Sequence, residues 1–190
     1  MPATMSSSRQ GDYDGSCGFY SIGNALSLLF SDVSADKIFD AMFSYYIKEH
    51  GDAETLINGM YRGKLNQVLT ETIEKLDLDC FVYRPFWNKS ASSLKEFHEK
   101  LLGCSVGKEC AAILGYEHCK IDDSDWYSHW TVLRKVTDKS LITYDSSGEL
   151  KRVSLSKCRI WDNKSRHKSK PYKLLSTDLF ILSKNNSEDA

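Results

Sequence analysis

The order of the hydrophobic patterns along the chain is the strongest constraint on its fold. Apolar residues recur at spacings of three and four, as in helices packed on a core, over 17–30, 35–50, 58–76 and 93–102. Runs rich in β-branched and aromatic residues, typical of strands, occupy 80–86, 110–116, 130–136, 140–144, 150–155 and 179–183. A helical half followed by an antiparallel sheet is an α+β arrangement. We therefore expect an N-terminal helical lobe and a C-terminal antiparallel β-sheet lobe, with a seam between them.

The length and composition fit one domain. The chain has 190 residues, of which 41% are hydrophobic, and a single core suffices up to about 250 residues. Neither an internal repeat nor a Gly/Ser/Pro linker divides the sequence. We predict a single domain over 10–184, with disordered ends at 1–9 and 185–190.

The opening residues and the net charge bear on location and partners. No apolar run approaches the ~18 residues needed to cross a bilayer, and 1–9 lack the apolar stretch and cleavage site of a secretory signal. We expect a cytoplasmic monomer without a membrane span, with signal-independent delivery into a host cell as the alternative location. A net charge of -1 provides no general attraction to nucleic acid, so no nucleic-acid partner is expected.

The cysteines are scattered and contain no Cys-x-x-Cys pair, a pattern that fits neither a disulfide framework nor a zinc ribbon. They are Cys17, Cys80, Cys104, Cys110, Cys119 and Cys158. We predict free thiols, no metal site and no cofactor.

One cysteine lies where a Gly-containing turn becomes a long apolar helix. The stretch 14–20 is Asp-Gly-Ser-Cys-Gly-Phe-Tyr, which puts Cys17 at the helix start. The unpaired N–H groups and the positive dipole end of a helix favour a thiolate, the nucleophilic form of cysteine. Gly15 and Gly18 leave room for a substrate backbone beside the sulfur. The alternative is a buried, inert cysteine, the commoner fate of free cysteines.

A histidine and an aspartate complete a candidate triad. His129 opens a predicted strand, and Asp145 ends the next one, 16 positions later. In a hairpin that turns near 137–139, both residues lie eight positions from Thr137, which predicts that they face each other and that Asp145 orients the imidazole. Taken singly, the histidine suits a surface or core position and the aspartate suits a turn. The joint occurrence favours a Cys17–His129–Asp145 triad.

These residues resemble the papain-like cysteine peptidase superfamily, in which the nucleophile opens the first long helix and the His and Asp or Asn follow on the sheet. The segment 129–135, His-Trp-Thr-Val-Leu-Arg-Lys, is similar to Josephin deubiquitinases and to bacteriocin-processing peptidases. The segment 14–19 is similar to ovarian-tumour deubiquitinases. The resemblance implies a papain-like catalytic domain that hydrolyses a peptide or isopeptide bond.

The resemblance also implies an oxyanion hole formed by the Cys17 N–H and a glutamine side chain upstream. Gln10 is the one glutamine before Cys17, and it precedes the cysteine by seven residues, one more than the usual papain spacing. The backbone amides of 14–16 are the alternative donors, as the ovarian-tumour resemblance suggests. A surface loop without a catalytic role remains a third interpretation of 10–14.

Acidic and aromatic residues before the candidate histidine suggest where a substrate binds. We predict that Asp125, Trp126 and Trp130 contact a protein or peptide substrate, and that ubiquitin, whose tail is Arg-Leu-Arg-Gly-Gly, or a ubiquitin-like protein is a candidate. A solvated loop is the alternative for the charged residues. The nine Lys/Arg between 151 and 173 suit an acidic partner, anionic lipid or nucleic acid, but no nucleic-acid motif accompanies them.

Two rival functions use the same residues. A transglutaminase-like or acyltransferase enzyme would pass the acyl group to an amine instead of water. A catalytically inactive protease-fold binding module would keep the fold without the chemistry. The intact triad argues against the binding module, whereas water and an amine both stay open as the acceptor of the acyl group.

Overall fold

A computed structural model describes residues 15–51, 54–107, 110–118, 127–147, 150–160 and 169–184. The terminal segments 1–9 and 185–190, predicted to be disordered, lie outside these residues. Within the described part, helices and an antiparallel sheet are mixed in the predicted order, which confirms the α+β class. None of the helices in the described ranges is both long and apolar enough to cross a membrane.

The chain forms five α-helices in the described ranges, two of which begin after a serine that caps them. They are α1 (Cys17–Leu29), α2 (Ala35–Glu49), α3 (Glu54–Asn58), α4 (Arg62–Lys75) and α5 (Leu94–Gly103). Ser34 accepts a hydrogen bond from the Lys37 N–H at the start of α2, and Ser93 does so from Glu96 at the start of α5.

The helix predicted over 58–76 is present as α4 but begins four residues later, at Arg62, because the chain turns between α3 and α4. Gly59 has φ +88°, a left-handed conformation that glycine adopts readily and other residues avoid. Helix α3 ends at Asn58, directly before this glycine.

The strands form one sheet. They are β1 (Cys80–Tyr83), β2 (Cys110–His118), β3 (Tyr127–Thr137), β4 (Ser140–Tyr144), β5 (Arg152–Ser154), β6 (Cys158–Ile160) and β7 (Tyr172–Lys184). The order across the sheet is β1-β7-β2-β3-β4-β5, with antiparallel neighbours, while the short β6 pairs with β7 in parallel. Strand β6 was not predicted from the sequence.

Strand β7 is longer than the predicted 179–183 because a bulge interrupts its pattern. Leu114 pairs with Leu179, but the next residue, Gly115, pairs with Leu175. The intervening 176–178 are Ser-Thr-Asp, so polar residues break the apolar run in the middle of a strand that continues on both sides.

Both faces of the sheet are covered. Helix α1 packs on β2 and β3 and also on α2 and α4, and Phe19, Ile22 and Leu26 of α1 are fully buried there. On the other face, Phe97 and Leu101 of α5 belong to a second core. Because β2 and β3 are sandwiched between these layers, the first turn of α1 and the strand that carries His129 are held by packing.

Candidate active site

Cys17 is the first residue of α1. The preceding Gly15 donates its N–H to the Leu56 carbonyl at 2.6 Å, and the Ser16 side chain makes no capping hydrogen bond to the helix. The first N–H groups of a helix have no partners within it, so the sulfur lies beside backbone donors and the positive end of the helix dipole. This is the predicted setting for a nucleophilic cysteine.

His129 and Asp145 form a buried pair. His129 is 2% exposed and Asp145 is 4% exposed, and 3.0 Å separates His129 Nε2 from Asp145 Oδ1. Burial by itself raises the pKa of Asp145, but hydrogen bonding and charge interaction with His129 outweigh it and lower that pKa below its usual value. The carboxylate therefore stays ionised and orients the imidazole.

The Cys17 side chain is a second group that raises the pKa of His129. Burial lowers the pKa of His129, but its interactions with Asp145 and Cys17 outweigh burial and raise the pKa to about 9. At neutral pH the site therefore favours a charged imidazolium beside the Asp145 carboxylate.

The structure brings His129 and Asp145 together by a different register from the predicted one. Val132 pairs with Tyr144, so Asp145 follows one position beyond that pair and is not directly opposite His129. The turn lies between the paired Thr137 and Ser140, and a bulge shifts the register between Leu133 and Lys135. The hydrogen bond consequently runs diagonally across the two strands, a separation that side chains of this length can bridge.

Two neighbours of the pair were not identified from the sequence. Tyr116 of β2 is directly opposite His129, and its ring packs edge-on against the imidazole with 5.6 Å between centroids. The Ser147 hydroxyl donates to Asp145 Oδ2. A serine two residues after an aspartate is a recognisable local hydrogen-bonding pattern, whereas the role of Tyr116 depends on strand register.

The remaining predicted site residues have different outcomes. Gln10, Asp125 and Trp126 lie outside the described residues, and their roles stay predictions. Trp130 is 6% exposed, and its indole N–H donates to the Met60 carbonyl at 2.6 Å, so little of its ring is available to a substrate. Among the alternative oxyanion donors, the Gly15 N–H already donates to Leu56 and is therefore a poor candidate.

Other thiols have environments that oppose ionisation. Burial raises the pKa of Cys80 to about 11, with the nearby Asp79 adding to the shift, and burial raises the pKa of Cys158 to about 12. In the described part of the chain, Cys17, Cys80, Cys104, Cys110 and Cys158 are free of disulfides. Cys80 and Cys158 are thus internal controls for any test of Cys17 reactivity.

Two comparisons with known proteins found no match from which a function could be transferred. No protein-family model matches the chain, and no curated protein matches it either. Among the described residues, no group of three or more His, Cys, Asp or Glu has an arrangement that could hold a metal ion.

Proposed function

We propose that this protein is a cysteine protease or isopeptidase with a papain-like fold and a Cys17–His129–Asp145 catalytic triad. The observation that carries the proposal is the buried hydrogen bond of 3.0 Å between His129 Nε2 and Asp145 Oδ1, together with the influence of Cys17, at the start of α1, on the pKa of the same histidine. A cysteine at a helix start beside a buried histidine that an acid orients is an arrangement that activates a thiol nucleophile.

In the proposed reaction, the Cys17 thiolate adds to the carbonyl carbon of the scissile amide, and the carbonyl electron pair moves to oxygen. The intermediate then collapses, the C–N bond breaks, and the amine leaves with a proton from the His129 imidazolium. Neutral His129 next removes a proton from water, whose oxygen adds to the thioester carbonyl. The C–S bond breaks, the acid product leaves, and the thiolate–imidazolium pair is restored.

The proposed oxyanion hole is at the N-terminus of α1. The backbone N–H of Cys17 is one donor in this proposal, because helix-start amides aimed at a reacting carbonyl stabilise developing negative charge. The Gln10 side chain is the second donor that the superfamily resemblance implies. Removing this amide donor as Gln10→Ala would lower turnover without altering the His129–Asp145 pair.

The proposed substrate is a protein or peptide, with ubiquitin or a ubiquitin-like protein as the leading candidate. The similarity of 14–19 and 129–135 to deubiquitinases supports this choice, as do the residue types of Asp125 and Trp126, an acid and an aromatic that suit a basic, extended tail. Transfer of the acyl group to an amine remains the rival enzymatic outcome, and a binding module without turnover is the non-enzymatic one.

The test of the triad is the labelling of individual cysteines by a thiol alkylating probe, followed by peptide mass spectrometry. A thiol whose pKa is about 11 is ionised at pH 7 in roughly one molecule in 10⁴, so we expect Cys17 to label far faster than Cys80. His129→Ala should remove most of this advantage. The matched control is His98→Ala, because His98 bonds the Thr137 carbonyl and belongs to the opposite side of the sheet. Equal labelling of wild type and His129→Ala would refute the triad.

The substrate is tested with C-terminal electrophiles of ubiquitin and ubiquitin-like proteins beside a peptide library, each with wild type and Cys17→Ser. Cys17-dependent adducts with one tail would support a deubiquitinase-like specificity. Product masses distinguish acyl transfer to an added amine from hydrolysis by water. Rapid Cys17 labelling with no turnover of any tail or peptide would favour the binding module.

A further inference from the structure

The segment 56–60, which is the end of α3 and the start of the turn toward α4, contacts both halves of the candidate site. At one end, the Leu56 carbonyl accepts a hydrogen bond of 2.6 Å from the N–H of Gly15. Gly15 is two residues before Cys17. At the other end, the Met60 carbonyl accepts the Trp130 indole N–H at 2.6 Å in a buried hydrogen bond. Trp130 directly follows His129 in β3. A continuous path therefore joins the nucleophile's turn to the histidine's strand.

The packing along this path leaves almost no free space. A Cβ atom on Gly15 would lie 2.6 Å from the Ile57 carbonyl oxygen, and it would also overlap the Gly59 backbone nitrogen. A Cβ on Gly18 would lie 2.9 Å from Met60 Cβ. Since interiors packed to this density transmit small displacements to their neighbours, a shift of the 56–60 segment must move the start of α1.

We infer that Trp130 is a positioning residue, which through its hydrogen bond to the Met60 carbonyl sets the spacing between the Cys17 sulfur and the His129 imidazole. This inference rests on the proposed function. Packing of the Trp130 ring against Phe180, with 6.1 Å between centroids, fills volume but is non-directional. The N–H···O bond is the directional contact between β3 and the 56–60 segment, and it acts on the residue next to His129.

The experiment compares Trp130→Phe with Trp87→Phe. Both tryptophans pack against Phe180, so the same substitution removes a similar volume beside the same ring. Only Trp130→Phe also removes the hydrogen bond to the Met60 carbonyl. The readout is the rate of Cys17 alkylation by iodoacetamide between pH 5 and pH 9, together with the melting temperature. In wild type, the thiolate–imidazolium pair should sustain alkylation at pH 5, and His129→Ala should lose it.

We expect Trp130→Phe to alkylate Cys17 at pH 5 at least ~10-fold more slowly than wild type, because displacements of about 1 Å at reacting groups cost up to about 10²-fold. Trp87→Phe should keep the wild-type pH profile even if its melting temperature falls. A Trp130→Phe profile that equals that of Trp87→Phe overturns the inference and leaves the triad intact. A wild-type profile that equals that of His129→Ala overturns the triad and the inference together.

A second variant keeps the test decisive if Trp130→Phe does not fold. Gly18→Ala pushes Met60 from the other side, because the added Cβ would meet Met60 Cβ at 2.9 Å. It leaves Trp130 and His129 unchanged in sequence. We expect the same loss of alkylation at pH 5, and an unchanged profile in a folded Gly18→Ala protein would count against positioning through Met60.

Discussion

Replacing Gly15 by alanine tests whether the turn before Cys17 has room to adjust. The added Cβ would lie 2.6 Å from the Ile57 carbonyl oxygen and would overlap the Gly59 nitrogen. Both are backbone atoms, which cannot rotate aside as a side chain can. An ordinary contact begins at 3.4 Å, so the turn and the 56–60 segment must separate by roughly 0.8 Å, in an interior that resists such shifts.

This displacement would move Cys17 relative to His129, because Gly15 is two residues from Cys17 and donates its N–H to the Leu56 carbonyl. A misplacement of this size costs up to about 10²-fold in rate, and overpacking typically costs about 1–3 kcal/mol in the free energy of unfolding. We expect both losses in Gly15→Ala. They are measured as the Cys17 alkylation rate at neutral pH and as urea unfolding monitored by tryptophan fluorescence.

Gly103→Ala is the matched control. A Cβ on Gly103, at the end of α5, meets nothing within 4 Å, so the same substitution adds the same atom without a clash. It should leave Cys17 alkylation unchanged and stabilise the helix by up to about 1 kcal/mol. If Gly15→Ala alkylates as fast as Gly103→Ala and is equally stable, the 56–60 segment yields without cost and the steric argument fails.

Two further predictions concern the charges at the site. The folded-state pKa of His129, about 9, exceeds the ordinary value of about 6.5, so its stabilisation is fully present below pH 6.5 and is lost as the pH rises through 9. Between pH 6.5 and pH 9, we expect the free energy of unfolding to fall by about 3 kcal/mol more in wild type than in His129→Gln. Urea unfolding at both pH values measures this fall, and an equal fall in the two proteins would contradict the prediction. Ser147→Ala removes one hydrogen bond from Asp145, so it should lower the free energy of unfolding by about 1 kcal/mol and slow Cys17 alkylation at pH 6 several-fold. The control Ser156→Ala, in an exposed serine pair, should change neither quantity. Equal effects of the two variants would rule out the Asp145 contact as the cause.

The α+β class was predictable because hydrophobic periodicity and helix caps are local signals. Ser34 and Ser93 precede apolar helical patterns and do cap α2 and α5. Strand register is a non-local property, and one bulged residue changes it. The shift between Leu133 and Lys135 leaves no mark on the alternation that a sequence presents, and the polar bulge at 176–178 concealed the first half of β7.

The candidate site shows the same division between local and non-local information. Cys17 opens α1, His129 lies near the start of β3 and Asp145 directly follows β4, and sequence patterns are informative near such boundaries. The contacts that hold them are made largely by backbone groups, such as the carbonyls of Leu56 and Met60. Every residue has a carbonyl, so no side-chain pattern indicates which one another segment will meet.

The burial of His129 explains why the backbone contacts that position Cys17 matter. His129 is almost completely removed from water, and burial alone disfavours its charged form. Interactions with Asp145 and with Cys17 raise the pKa of His129 against this effect of burial, and electrostatic stabilisation of this kind weakens steeply when a hydrogen bond lengthens or bends. Asp145 is held by its own neighbours on the sheet, but Cys17 approaches from the helical layer. The position of α1 relative to β3 therefore controls the charge on His129, and the backbone contacts of the 56–60 segment set that position.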